Sequence, residues 1–527
     1  MTTPSKTPRD EIHTAASELP APLVARLTGE LKGGGPLITT AAPFTGAPLA
    51  ALRQSTPEDV AVAFARAREA QIGWAKTSPK DRAKPFIKLH DLVLGNEELI
   101  DINQAETGKA RNSAFEETVD VAGLSLYYGR HAPKFLEPRK RAGAIPIATQ
   151  THEYRQPKGI VAIISPWNYP LSLAICDVIP ALLAGNAVVH KPDTQTALTA
   201  LKARELLIEA GLPPHVWHIV LGEPADIGQS LIDGCDHVCF TGSTAAGRRI
   251  AQAAAARLIG CTLELGGKNP MIVLADADLD KAARGAVRAC FSTTGQLCLS
   301  IERLYVADAI YDDFVAKLVG KVAAIELGYG YDFGYDIGTL TSERQLEVTR
   351  RHVEDARSKG ARVLAGGRSR PDLGRFFYEP TVLAGVTPDM EVFAHETFGP
   401  VVSVYRFHDD DEAIGLANDS EYGLNASIWT RDVGRGRAIG EQIRCGTVNI
   451  NEGVASAYAS NDSPMGGMKA SGQGRRHGEH GLLEYTELQT IASQHVIGFD
   501  PPPGVSTERN AALLKLTYKL MKALHIR

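Results

Sequence analysis

The segment "FSTTGQLCLS", Phe291 to Ser300, closes a long alanine-rich apolar run and places Cys298 three residues after Gly295, with the charged "IER" following. A thiol at a glycine-hinged corner can meet a ligand as a nucleophile, whereas one inside an apolar run is a small buried hydrophobe. "TLELGGKNP" ends an expected strand in Glu264, where a buried carboxylate is costly unless it is paired or does chemistry. "SPWNYP" sets Asn168 between two prolines just after a strand, either as part of a rigid turn or as an amide donor aimed into a cleft. "FTGSTAAG" offers Gly242, Ser243 and Gly247 at the start of a helix, where free backbone N–H groups suit a phosphate, although such turns are common. Lys191 in "HKPD" ends a strand and Glu396 in "HETFGP" lies in a loop; alone, each reads equally well as a solvated charge.

These residues need a scaffold, and its rhythm is visible from Val161 onward. Short apolar runs "VAIIS", "NAVVH", "VWHIVLG", "HVCFTG" and "CTLELGG" alternate with helical patterns such as "LSLAICDVIPALLAG" and "ALTALKARELLIEAG", each closed by glycine. The alternation predicts βα units, a parallel sheet with helices on its faces, and ligands beyond the carboxyl ends of the strands. The region from about 55 to 135 reads as mostly helical, "RKRAGAIPIATQTHEYRQPKG" as a hairpin, and a second βα series runs from "NPMIVLADADLDKAARGAVRACF" to about Asn451. "DPPPGVSTERN" is a proline-rich linker before a last helix.

The 527 residues, 44% hydrophobic and 22% charged, have the composition of a globular protein of two or three domains. A net charge of -5 from 56 basic and 61 acidic residues leaves no dominant field, which points to a small-molecule partner and not to nucleic acid. With no apolar h-region at the N-terminus and no transmembrane segment, a cytoplasmic location is expected. The seven cysteines repeat neither a disulfide framework nor a zinc ribbon, and the Cys235/Cys239 pair lacks a second half, so no metal is expected.

In order along the chain, "PWNYP", "KPD", "FTGSTAAG", "LELGGKNP", "GQLC", "ETFGP" and "PMGGMKASGQGR" resemble the aldehyde dehydrogenase superfamily over about residues 40 to 495. Within it the chain looks most like the NADP-dependent succinate-semialdehyde dehydrogenases of actinobacterial type. The resemblance implies an α/β fold with two α/β domains built on parallel sheets and a small β oligomerisation arm. It assigns residues 1–140 and 159–266 to dinucleotide binding, 267–460 to catalysis, 141–158 and 480–500 to the arm, and 501–527 to the linker and an amphipathic helix. Cys298 would attack the aldehyde carbon, Asn168 and the Cys298 N–H would hold the oxyanion, and Glu264 would activate the water that hydrolyses the thioester. Cofactor contacts would come from Ser165, Pro166, Trp167, Lys191, Asp193, Thr194, Gly222, Phe240, Gly242, Ser243, Leu265, Glu396 and Phe398. NADP is expected, with NAD admitted, because the glutamate that NAD-only relatives carry three residues after the cofactor lysine is Thr194 here. A homodimer or homotetramer is implied.

Two rival functions are a CoA-acylating dehydrogenase, against which Glu264 argues, and an inactive scaffold used for binding. The substrate is less legible, because the arginines that grip the carboxylate in familiar succinate-semialdehyde dehydrogenases correspond to Cys176 and Ser292. A less polar aliphatic or aromatic aldehyde is therefore an alternative. A family lysine and glutamate near the hydrolytic base are reversed in sign to Asp177 and Arg476, which predicts a salt bridge between them. In the tail, Leu513, Leu516, Leu520 and Leu524 share one helical stripe and Lys515, Lys519 and Lys522 another; docking on this or a neighbouring subunit is expected, with a membrane surface as the alternative.

Overall fold

The computed structural model describes residues 19–144, 149–495 and 500–525. Strands Gly260–Glu264, His237–Thr241, Ile160–Ile164, Ala187–Lys191 and Trp217–Ile219 lie side by side in that order, all parallel. Ile160–Ile164, Ala187–Lys191 and His237–Thr241 are buried almost throughout, which is why they read as unbroken apolar runs and not as alternating ones. The chain starts in the middle strand, builds outward to Trp217–Ile219, then crosses back to His237–Thr241. The order therefore reverses between Ile160–Ile164 and His237–Thr241, and a crevice opens at the carboxyl ends of these two strands. A short strand, Gly472–Gln473, pairs antiparallel with the edge strand and sets Gly472 opposite Glu264.

A second sheet takes the order Arg362–Ala365, Thr381–Ala384, Val401–Phe407, Ile301–Ala307, Asn269–Val273, Asn425–Trp429 and Thr447–Ile450, parallel except for the first strand. Ahead of the first sheet come helices Pro57–Lys76, Pro79–Leu94, Glu97–Thr107 and Arg111–Phe135. Their starts are specified locally: Thr56 and Asp59 form a reciprocal capping box, and Ser78 and Asn96 cap the next two. Gly108, at φ 77°, ends the third in the left-handed conformation that a side chain resists. Helix Arg111–Phe135 packs on helix Ser172–Leu183, which follows the "PWNYP" loop.

The expected hairpin is present as strands Arg139–Arg141 and Thr149–Pro157, paired antiparallel, with residues 145–148 outside the described residues. Thr486–Gln494 adds a third strand along the whole of Thr149–Pro157. The last helix, Thr507–Ala523, is capped by Ser506, but its leucine stripe is not covered by the described residues. Leu513, Leu516, Leu520 and Leu524 are each more than half exposed, and Met521 is the one buried residue of the helix. Helical periodicity marks an apolar face and says nothing of the surface that covers it. Among the described residues no helix is long and apolar enough to cross a membrane.

Candidate active site

Helix Leu279–Phe291 stops at the end of the alanine-rich run, and the chain then passes through Thr293 (φ 50°), Thr294 (φ 58°) and Gly295 (φ 71°) in succession. Left-handed threonines are strained by about 1–2 kcal/mol each, because the branched Cβ crowds the backbone. Their surroundings hold them: Tyr169 Oη lies 2.8 Å from Thr293 Oγ1, and Thr294 Oγ1 donates to the Gly338 carbonyl at 3.2 Å. A Cβ on Gly295 would stand 2.1 Å from the Gly399 carbonyl oxygen, so glycine is required. This turn delivers Cys298, and Asn269 Nδ2 pins the loop by donating to the carbonyls of Cys298 and Ser300 at 2.7 and 2.8 Å.

Asn168 approaches from the first sheet. Its Nδ2 donates one hydrogen to the Gln296 carbonyl at 2.9 Å, which leaves the second for another acceptor near the Cys298 loop. Below it, Lys109 and Glu117 form a fully buried ion pair. Lys109 Nζ donates to the Asn168 carbonyl at 2.8 Å, and Glu117 Oε2 accepts from the N–H groups of Leu171 and Ser172, both at 3.0 Å. The sequence reading missed this pair, because each member looks like an ordinary solvated charge until the fold buries both.

Glu264 ends its strand buried, and neither carboxylate oxygen has a hydrogen-bond partner among the described residues. Burial pushes its carboxyl up to about 7, with Arg476 opposing the rise and Asp177 adding to it. Those two residues form the salt bridge that the reversed charges predict: Arg476 donates from Nε and Nη2 to Asp177 at 2.9 and 2.5 Å. Arg476 also donates to Thr241 Oγ1, and Tyr485 Oη donates to Asp177 at 3.2 Å. Burial, and then the carboxylates of Glu264 and Glu396, push the Cys298 thiol up to about 12.

A cavity of about 570 Å³ opens at Cys298. Phe115, Val119, Leu173, Leu297, Val454 and Met465 make most of its wall apolar, and Ser292 lies on it; Cys176, the other position where an arginine was weighed, is buried in the core. Asp120 also faces the cavity; it accepts from Tyr458 Oη at 2.9 Å, and burial pushes its carboxyl up to about 6.

The residues expected at the cofactor gather at the carboxyl ends of the five parallel strands. Ser165, Pro166 and Trp167 follow Ile160–Ile164; Asp193 and Thr194 follow Lys191; Gly222 lies beyond Trp217–Ile219; Phe240, Gly242 and Ser243 end the His237–Thr241 strand; and Leu265 follows Glu264. Lys191 Nζ is buried, which lowers its pKa, and among the described residues it donates only to the Pro192 carbonyl at 3.4 Å. It is thus a cation with donors to spare. Ser165 Oγ is 2.7 Å from His190 Nε2, Asp193 Oδ1 accepts from the Gln195 N–H at 2.9 Å, and Thr194 Oγ1 donates to Gln54 at 3.3 Å. Ser243 caps helix Thr244–Ala256, whose first N–H groups face the crevice end of the strand. Small residues leave a cradle: a Cβ on Gly242 would meet the Phe240 ring at 2.6 Å, one on Gly222 would meet Ile227 at 2.8 Å, and one on Gly266 would meet Glu396 Oε2 at 2.4 Å.

Glu396 and Phe398 reach this cradle from the second sheet. Glu396 accepts from the Gly267 N–H at 2.8 Å, burial pushes its carboxyl up to about 8, and Phe398 packs edge-on against Trp167 with ring centres 5.6 Å apart. Their loop is held by Glu302, which pairs with buried Lys268 and accepts from the N–H groups of Thr397 and Phe398 at 3.0 Å. This second buried pair was also missed, although Lys268 lies inside "LELGGKNP" and Glu302 inside "IER".

A pinned thiol beside a buried carboxylate that has no hydrogen-bond partner among the described residues, next to a crevice at the switch point of a parallel sheet, is an arrangement suited to covalent catalysis in an α/β enzyme. The chain belongs to the aldehyde dehydrogenase family, whose model matches residues 32–491. A Mycolicibacterium smegmatis protein, provisionally named succinate-semialdehyde dehydrogenase [NADP(+)], is 53% identical over 464 residues, covering 88% of this chain and 90% of its own. Among solved structures, an NADP-dependent enzyme of E. coli superposes with a TM-score of 0.85 at 33% identity, covering 89% of this chain and 97% of its own. Betaine aldehyde dehydrogenase of Staphylococcus aureus in complex with NAD+ gives 0.85 at 30% identity, covering 90% and 95%.

Proposed function

We propose that the protein oxidises succinic semialdehyde to succinate with NADP+, NAD+ being admitted as an alternative coenzyme. The observation that carries the reaction is Glu264, a buried carboxylate with no hydrogen-bond partner among the described residues and a pKa near neutrality, in electrostatic contact with a pinned cysteine. The name of the relative from M. smegmatis supports the substrate and coenzyme.

With its thiol pushed up to about 12, Cys298 becomes a nucleophile only when a base takes its proton, and Glu264 is the charge acting on it most strongly. The sulfur bonds to the aldehyde carbon, and the oxyanion is held by the free hydrogen of Asn168 Nδ2 and the Cys298 N–H. The coenzyme, when bound, supplies the hydride acceptor; Lys191, Ser243 and Glu396 would hold its phosphate and ribose, and Thr194 leaves room for a 2'-phosphate. Once the thiol's proton has passed on to solvent and Glu264 is charged again, it takes a proton from water, whose oxygen bonds to the acyl carbon as the carbon–sulfur bond breaks and the thiolate leaves. Such hydrolysis needs no CoA.

Residues 1–140 with 159–266 would form the nucleotide unit and 267–460 the catalytic unit. Residues 141–158 with 480–500 would form an arm through which the chain makes a homodimer or homotetramer. Exposed Leu488 and Ile491 on the edge strand Thr486–Gln494 support that role, since an uncovered apolar edge invites pairing.

The decisive experiment compares kcat/KM on succinic semialdehyde and on butanal, with NADP+ and NAD+, scoring acid formed without CoA. A second reading, a less polar aldehyde as substrate, draws on the apolar cavity wall and on Asp120. A higher kcat/KM for butanal would favour it.

A further inference from the structure

The cavity that holds Cys298 has two cationic side chains on its wall, Arg288 and Arg476. Arg476 is committed: it is buried, its Nε and Nη2 engage both oxygens of Asp177, and Nη2 also reaches Thr241. Arg288 is not. Among the described residues its guanidinium pairs with a single carboxylate, Glu116, with Nη2 3.3 Å from Oε1, and the two side chains are 56% and 37% exposed. An ion pair this exposed is weak and exchanges readily for another carboxylate.

Arg288 also has a telling position. It stands four residues before Ser292 on the same helical face, and Ser292 Oγ donates to its carbonyl at 2.7 Å. Both residues line the same cavity. Ser292 fills the position where the resemblance leads one to expect a carboxylate-gripping arginine, and the cation is found one helical turn earlier. Arg288 thus stands on the cavity wall in the last turn of helix Leu279–Phe291, before the loop that carries Cys298.

We propose that Arg288 is the specificity residue that recognises the distal carboxylate of the aldehyde substrate, leaving Glu116 to pair with that carboxylate by a planar, two-pronged contact. This rests on the reading of the substrate as an acid semialdehyde. Arg288 acts in binding and not in the chemical steps, so it sets KM and leaves kcat to Cys298 and Glu264.

The test measures KM and kcat of wild type, Arg288→Gln, Arg288→Lys and Glu116→Gln on succinic semialdehyde and on butanal. Arg288→Gln is expected to raise KM for succinic semialdehyde about tenfold or more, with kcat within about threefold and butanal unchanged. Arg288→Lys should keep part of the affinity, and Glu116→Gln, which frees the guanidinium, should lower KM for the anionic substrate alone. An unchanged KM in Arg288→Gln, or an equal change for both aldehydes, overturns the role of Arg288 while leaving the function intact. Failure of the wild type to oxidise succinic semialdehyde overturns the reading of function itself.

Discussion

Arg476 and Asp177, 299 residues apart in sequence, meet through two parallel hydrogen bonds of 2.9 and 2.5 Å in a site where both side chains are almost completely buried. The pair sits between the strand end at Thr241 and the hydroxyl of Tyr485, and its two charges act on Glu264 with opposite sign. Removing one partner leaves an uncompensated buried charge, at a cost of about 3–5 kcal/mol. Asp177→Lys alone should therefore lower the melting temperature and turnover, and adding Arg476→Glu should recover part of both. A double-mutant cycle reads the coupling; strictly additive effects would show that the two residues act independently.

Cys298→Ala should abolish dehydrogenase activity while coenzyme affinity, measured by fluorescence titration, stays within about threefold. In the proposed mechanism the thiol does the covalent chemistry, and the groups gathered at the ends of the five strands are untouched. Turnover near the wild-type level would remove Cys298 from the mechanism.

Glu264 ties activity and stability to pH in opposite directions. As the proposed base it must be charged, so steady-state turnover should fall as pH drops through about 7. Glu264→Gln should show a burst of reduced coenzyme followed by slow turnover, because thioester hydrolysis suffers more than hydride transfer. In folding, the carboxyl binds its proton more tightly than in the unfolded chain, so its contribution to stability falls as pH rises from the ordinary glutamate value of 4.5 to about 7. Glu264→Gln should then melt higher than wild type at pH 8, by up to about 3 kcal/mol, with the gap closing toward pH 5. Calorimetry showing a constant gap would contradict the raised pKa.

Thr194→Glu replaces a hydroxyl now bonded to Gln54 by a carboxylate at the expected place of the 2'-phosphate. The ratio of kcat/KM for NADP+ over NAD+ should drop about tenfold or more, through charge repulsion that only the phosphorylated coenzyme feels. An unchanged ratio would place Thr194 away from that phosphate.

The local grammar of this chain is strong. Apolar runs such as "VAIIS" and "NAVVH", separated by glycine-closed helical patterns, fix a parallel sheet, because strands covered on both faces have no reason to alternate. The motifs around Cys298, Glu264 and Asn168 stand out because thiol, carboxylate and amide occupy corners and strand ends where packing alone does not call for them. Even the Asp177–Arg476 pair could be read, since two reversed charges make sense only together. Tertiary structure decided the rest. Lys109 with Glu117 and Lys268 with Glu302 look like surface charges until the fold removes their water, and only then do they fasten the Asn168 and Phe398 loops. Thr293 and Thr294 take left-handed conformations that no local preference favours, held by Tyr169 and Gly338 from distant parts of the chain. Arg288 acquires its meaning by sharing a cavity wall with Cys298. Periodicity and composition report burial and local conformation, whereas which charges lose their water and which groups meet depends on how elements pack, whether the partners lie 8 residues apart, as Lys109 and Glu117 do, or 124, as Tyr169 and Thr293 do.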